Sequence, residues 1–299
     1  MSSSDGSVLG IATVVDHGDP ALRWNLVLLG DGYQASELAK YLSDVDAFVE
    51  KFKTTSPYDE LFAGINVFRI DVTSTDSGAA DPAKCGGTGA NPKTFFDATF
   101  CAFDTPRLLG VNTETVHAVV NDNMPQAHMI MVVVNSPIYG GSGGGVATFS
   151  AAPNAAEIAL HEMGHTAFHF ADEYESYAGC TRDPPGTHDR YAGPEPSEPN
   201  VTTNRDAASI KWRSMITDGI PVPTTSNANP AQCDPQPNPF AAETVGAYEG
   251  ARYFHSGVFR PQFNCRMRVL GEEYCTVCKS VIRSVIAPYV PAEGAPAEL

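Results

Sequence analysis

The sequence predicts an α/β protein with a twisted, mostly parallel mixed sheet packed by helices, followed by a loop-rich C-terminal part. Three observations carry this reading. Short apolar runs alternate with stretches of helical periodicity, one of those runs is apolar enough to be buried on both faces, and the second half loses its periodicity among prolines.

The run Asn25 to Leu29 (NLVLL) ends in Gly30-Asp31-Gly32 and reads as a buried strand followed by a turn. Leu38, Leu42, Val45, Phe48, Val49 and Phe52 then recur at helical spacing, with Ser36 placed to cap the helix. Val67 to Val72 is the next expected strand, Leu108 to Val120 the next helical stretch, and Met129 to Val134 (MIMVVV) a third strand. Between them, Ser77 to Thr105 is rich in Gly, Pro and Asp and reads as a long surface excursion. The run Gly140 to Gly145 (GGSGGG) lacks the Gly-Lys-Ser/Thr ending of a phosphate loop, so an edge-strand or flexible segment is expected. From Gly179 to about Phe240 prolines dominate, and Val277, Val281, Ile282, Val285 and Ile286 form a closing helical stripe. No repeat or linker marks a second domain. The expectation is one catalytic domain over residues 1–299, with an N-terminal subdomain over about 1–178 and a loop-rich C-terminal subdomain over about 179–299.

Thirty-five acidic against 19 basic residues give a net charge of −16, which argues against a nucleic-acid partner, since phosphate backbones require a basic face. No apolar run reaches the ~18 residues a membrane span needs. The first ten residues, MSSSDGSVLG, show neither the basic nor the apolar region of a secretory signal. Seven cysteines are nonetheless many for a cytosolic enzyme, and Cys85, Cys101, Cys180 and Cys233 all lie in loop-like stretches. A secreted or periplasmic protein with its leader removed is the expectation, with Cys85 and Cys101 bonded across the excursion. Cys275 and Cys278 form a C-x-x-C with no second pair at zinc-finger spacing, so a disulfide or plain burial is expected there.

The chemistry concentrates after Asn154, in NAAEIALHEMGHTAFHFADEYE. Asn154 and Glu157 have the spacing of a capping box, which marks a helix start. His161 and His165, four residues apart, then project from one helical face and can share one zinc ion, with Glu162 beside them as the general base for a metal-activated water. Such a site needs a third ligand, and Asp172 and Glu173 follow at a suitable distance. On an unbroken helix Asp172 would lie roughly 16 Å along the axis from His161. The helix must therefore end and the chain reverse between His165 and Ala171. His169, one turn after His165, is expected to pack or support rather than ligate.

Taken together, LLGDGY (28–33), INVFRIDVTSTDSGA (65–79), VVNSPIYGGSGG (133–144), HEMGHTAFHFADEY (161–174) and GAYEGARYFHSGVFRPQFNCRMR (246–268) resemble the IgA-peptidase family of bacterial zinc metallopeptidases. The resemblance implies a metzincin-like catalytic domain, a protein or peptide substrate, and Met267 in the turn beneath the metal. It also assigns Asp172 as the third ligand ahead of Glu173, its rival, which would then orient a histidine or cap backbone, and ahead of a ligand from elsewhere such as His255 or His188. The familiar metzincin pattern is broken at Phe168, in place of its glycine, and at Ala171, in place of its last histidine. Tyr248 and Tyr253 are candidate oxyanion donors, although packing is the expected role of each. The competing reading is a non-catalytic surface- or glycan-binding protein on a degenerate peptidase scaffold. Glu162 argues against it, because a structural zinc site has no use for a carboxylate beside an open metal position.

Overall fold

The computed structural model describes residues 5–175, 190–227 and 237–292. The chain divides into two compact units: Met1–Ala167 with Val285–Leu299, and Phe168–Ser284.

The first unit is built on a six-stranded sheet. Its strands are β1 (Gly6–Val15), β2 (Trp24–Asp31), β3 (Ile65–Ser74), β4 (Met129–Val134), β5 (Gly141–Ser142) and β6 (Ala147–Ser150), in spatial order β1-β3-β2-β4-β6-β5. The three central pairings, β3-β2, β2-β4 and β4-β6, are parallel, and the outermost pairings on each side are antiparallel. All eight residues of β2 are buried. That is why Leu26 to Leu29 form a continuous apolar run rather than an alternating one.

The helix α1 (Leu38–Lys53) buries Tyr41, Val45, Phe48, Val49 and Phe52, one stripe at helical spacing. Its Phe48 ring lies 5.5 Å from that of Phe149 on β6. Tyr41 sits over Gly30, where an added Cβ would stand 2.9 Å from the ring. The short α2 (Tyr58–Leu61) leads into β3, and α3 (Thr113–Asn123) packs Val116, Val119 and Val120 into one cluster with Val27 and Leu29 of β2.

Three details differ from the sequence expectation. Ser36 does not cap α1: a 3-10 turn, Ala35–Glu37, precedes it, and Gln34 and Glu37 form the capping box. The helical stretch expected from Leu108 begins only at Thr113, capped by Asn112, because Leu108 and Leu109 are extended and hydrogen-bonded to neighbouring chain segments. The strand β1 was not expected, because its largely exposed edge position leaves no apolar run to read.

Asp31, at the end of β2, anchors the excursion. It accepts hydrogen bonds from Ser74 Oγ, Thr94 Oγ1, Phe96 N and Ala98 N at 2.8–3.1 Å. Burial nevertheless pushes its carboxyl above the ordinary range. Further along, the excursion is closed by a Cys85–Cys101 disulfide, as expected.

The second unit has a two-stranded antiparallel hairpin, β7 (Tyr248–Ala251) and β8 (Phe254–Arg260), turned by Arg252 and Tyr253. Both turn residues have positive φ, 50° and 70°. A two-residue hairpin turn of this hand favours glycine or asparagine, so two bulky residues hold it under strain. Arg260 is fully buried, donates to Glu175 at 3.2 Å and to the Glu249 carbonyl at 3.1 Å, and Arg268 reaches the other Glu175 oxygen at 3.2 Å. Burial, with Arg268 nearby, pulls the Arg260 guanidinium down to about 10 against the pull of Glu175. The closing helix, α5 (Thr276–Ile286), falls where the apolar stripe placed it. Cys180, Cys233 and His188 lie outside the described residues.

Candidate metal centre

The motif helix is α4 (Ala155–Phe168). The Asn154 carbonyl accepts from Glu157 N and Ile158 N, which starts the helix, and Glu157 pairs with Lys51 at 2.7 Å. Asn154 itself has φ 66°, outside the extended conformation of an ordinary N-cap. Ile158, Ala159, Leu160 and Met163 are buried, giving the helix its apolar face. His169, with φ 56°, ends it. A left-handed residue at this position is a common helix terminator. The helix thus ends within the expected span between His165 and Ala171. His169 is exposed, which corrects the expectation that it packs or supports the site.

His161 and His165 bring their Nε2 atoms to 3.2 Å, with the rings 84° apart. Two imidazole nitrogens at zinc distances of about 2.0–2.1 Å and near-tetrahedral angles stand about 3.3 Å apart. The pair therefore fits a shared ion. His161 and Glu162 are each 8% exposed, so the site is shielded without being sealed.

A family model described as IgA Peptidase M64 matches residues 12–232 and 237–286. The chain belongs to the IgA peptidase M64 family. As a member it is a peptidase, and its substrate is a protein or peptide. Comparison with curated proteins finds no match. No helix among the described residues is long and apolar enough to cross a membrane.

In this peptidase the glycine run lies against the motif helix. The strand β5 is outermost in the sheet, and a Cβ at Gly143 would come within 2.4 Å of His165 Cβ. A Cβ at Gly141 would meet Ile158 at 2.7 Å and Glu162 at 3.1 Å. The edge at Gly141 is already taken, since Gly141 N donates to Arg107 O and Leu109 N donates to Gly141 O. An incoming strand could pair only beyond it.

Asp172 is buried and accepts a hydrogen bond from the Tyr253 hydroxyl. The strained turn thus aims a half-exposed tyrosine at this carboxylate, a role the sequence did not reveal. Tyr248 is fully buried and donates to the Thr244 carbonyl, as packing required. His255 is buried on β8. Met267 is buried, and its carbonyl accepts from Glu173 N at 2.7 Å. By donor type, His161, His165 and Asp172 make one candidate ligand set among the described residues, and Glu173, Cys265, Cys275 and Cys278 make another. Glu173 is fully buried, and burial, aided by Cys265, raises its carboxyl well above the usual range. It faces cysteines and Asn200, rather than the histidine or backbone cap expected of it.

Proposed function

We propose that this chain is a zinc-dependent endopeptidase in which His161, His165 and Asp172 hold the metal and Glu162 is the general base. The observation that carries the reading is the 3.2 Å separation of the two Nε2 atoms on α4, a spacing suited to a zinc ion. Bound there, zinc would lower the pKa of a water towards about 7 and polarise a substrate carbonyl. Glu162, the next residue after His161 and largely buried, takes the proton from the attacking water and returns it to the leaving amine. Asp172 brings one negative charge to the ligand set, and Tyr253 holds its Oδ2.

An extended substrate pairs along the edge between Ser142 and Gly145, beyond the occupied Gly141 and without Gly144 N, which donates to Thr166 Oγ1 at 3.1 Å. In this reading residues 1–299 form one catalytic domain of metzincin type, with Met267 beneath the metal. The Cys85–Cys101 disulfide supports a secreted or periplasmic site of action, since such bonds persist in oxidising compartments.

The test is Glu162→Gln, assayed on a quenched peptide library alongside zinc analysis. Turnover should fall roughly 10²- to 10⁴-fold with the zinc content unchanged. Near wild-type turnover in zinc-loaded protein would remove Glu162 from the mechanism. For the third ligand, Asp172→Ala should weaken zinc binding at this site by orders of magnitude, and Glu173→Ala by roughly 10- to 100-fold at most. The reverse ranking would transfer the ligand role to Glu173.

A further inference from the structure

Cys265, Cys275 and Cys278 are buried and carry free thiols, and they surround the fully buried carboxyl of Glu173. One donor atom from each of the four lies within 4.8 Å of all the others. Cys265 Sγ and Cys278 Sγ are 3.8 Å apart, and Glu173 Oε1 is 3.8 Å from Cys278 Sγ and 4.0 Å from Cys275 Sγ. A disulfide would need about 2.05 Å. Two thiolates on one tetrahedral zinc, each at about 2.3 Å, stand about 3.8 Å apart. The cluster therefore has the spacing of ligands around an ion rather than of a bond between sulfurs.

The backbone is arranged for thiolates as well. Cys275 N donates to Cys265 Sγ at 3.2 Å, and Cys278 N donates to Cys275 Sγ at 3.4 Å. Asn200 Nδ2 donates to Glu173 Oε1 at 2.9 Å, the kind of outer contact that orients a ligating carboxylate. Glu173 Oε2 has no hydrogen-bond partner among the described residues. Burying a carboxyl oxygen with no hydrogen-bond partner is costly. A cation among them would remove that cost.

We propose that Glu173, Cys265, Cys275 and Cys278 form a closed, structural site for a second thiophilic divalent cation, zinc. Binding releases the ligand protons to solvent and leaves no open position for water. The site ties the loop after β8 and the start of α5 to the segment carrying Glu173. If Asp172 ligates the first zinc, as proposed above, this clamp also fixes its chain neighbour. The second site does not depend on that reading.

The experiment uses the full chain, prepared without chelator, with metal counted per chain and a parallel cobalt-substituted sample examined by absorption. Wild type should hold two zinc ions and, with cobalt, show a near-ultraviolet sulfur-to-metal charge-transfer band. The double variant His161→Ala/His165→Ala should retain one ion and the full band, whereas Cys278→Ser should lose the band. Should Cys278→Ser fail to fold, wild type decides: its three thiols should resist a thiol reagent until a chelator removes the metal. No sulfur band, freely reactive thiols before chelation, or a disulfide among the three cysteines would each overturn the proposal. One ion in wild type, kept in the histidine variant together with the band, would support the cysteine site and overturn the histidine one.

Discussion

In the sheet unit, β2 buries all eight of its residues and α1 lays an aromatic and aliphatic stripe into the same interior. Among the described residues from Phe168 to Ser284, the largest fully buried side chain is an arginine, and a carboxyl group and three thiols lie buried together. The first interior is held by apolar area, which is non-directional and tolerant of small shifts. The second depends on charges and hydrogen bonds being matched, which is intolerant of losing one partner. The difference separates the two kinds of mutation that should harm each unit.

The largest effect should come from the apolar side. Phe48 is 1% exposed, stacks on Phe52 and meets Phe149 at a tilt. Phe48→Ala should cost about 4 kcal/mol, since the vacated volume cannot close fully. Denaturant unfolding, with hydrogen exchange of β2 amides as the local readout, checks it. A cost below about 1 kcal/mol would mean that this interior is not packed as described.

Next is the polar side. Glu175 accepts from both Arg260 and Arg268, and Arg260 is fully buried. Glu175→Gln keeps the shape but strands a buried guanidinium, at a cost of about 3 kcal/mol. Exchange protection should fall in β7 and β8 and hold in β2. Equal loss in both would erase the distinction between the units.

The same contrast governs what the sequence made legible. Strands β2 and β4 and helices α1 and α4 show in the sequence because burial imposes a period or an unbroken apolar run, and because His161, Glu162 and His165 are neighbours on one helix. The strand β1 is hidden by its exposure, and Leu108 is misread because its apolar side chain continues the helical spacing although its backbone bridges Gly141. The cysteine cluster escapes sequence reading because Cys265 lies ten residues before Cys275 and the fourth donor comes from a distant segment. The Arg252-Tyr253 turn escapes it because neither residue is a usual turn former.

That turn supplies the smallest predicted effect. Tyr253 is 43% exposed, has φ 70°, and donates its hydroxyl to Asp172 Oδ2. A non-glycine residue in this conformation costs of order 1 kcal/mol, which the surrounding structure must offset. Tyr253→Phe preserves the ring and the turn and deletes only the hydroxyl. If the hydroxyl orients Asp172 as a ligand, zinc affinity should fall roughly 10-fold, at the low end of what outer ligand contacts contribute, while kcat of the zinc-saturated variant stays near wild type. If instead it serves a developing oxyanion, zinc affinity should hold and kcat should fall, by as much as roughly 10²-fold. Zinc competition with a chromogenic chelator, followed by assay at saturating zinc, separates the two. No change in either quantity would reduce the tyrosine to packing and leave the strain of its turn without a functional reason.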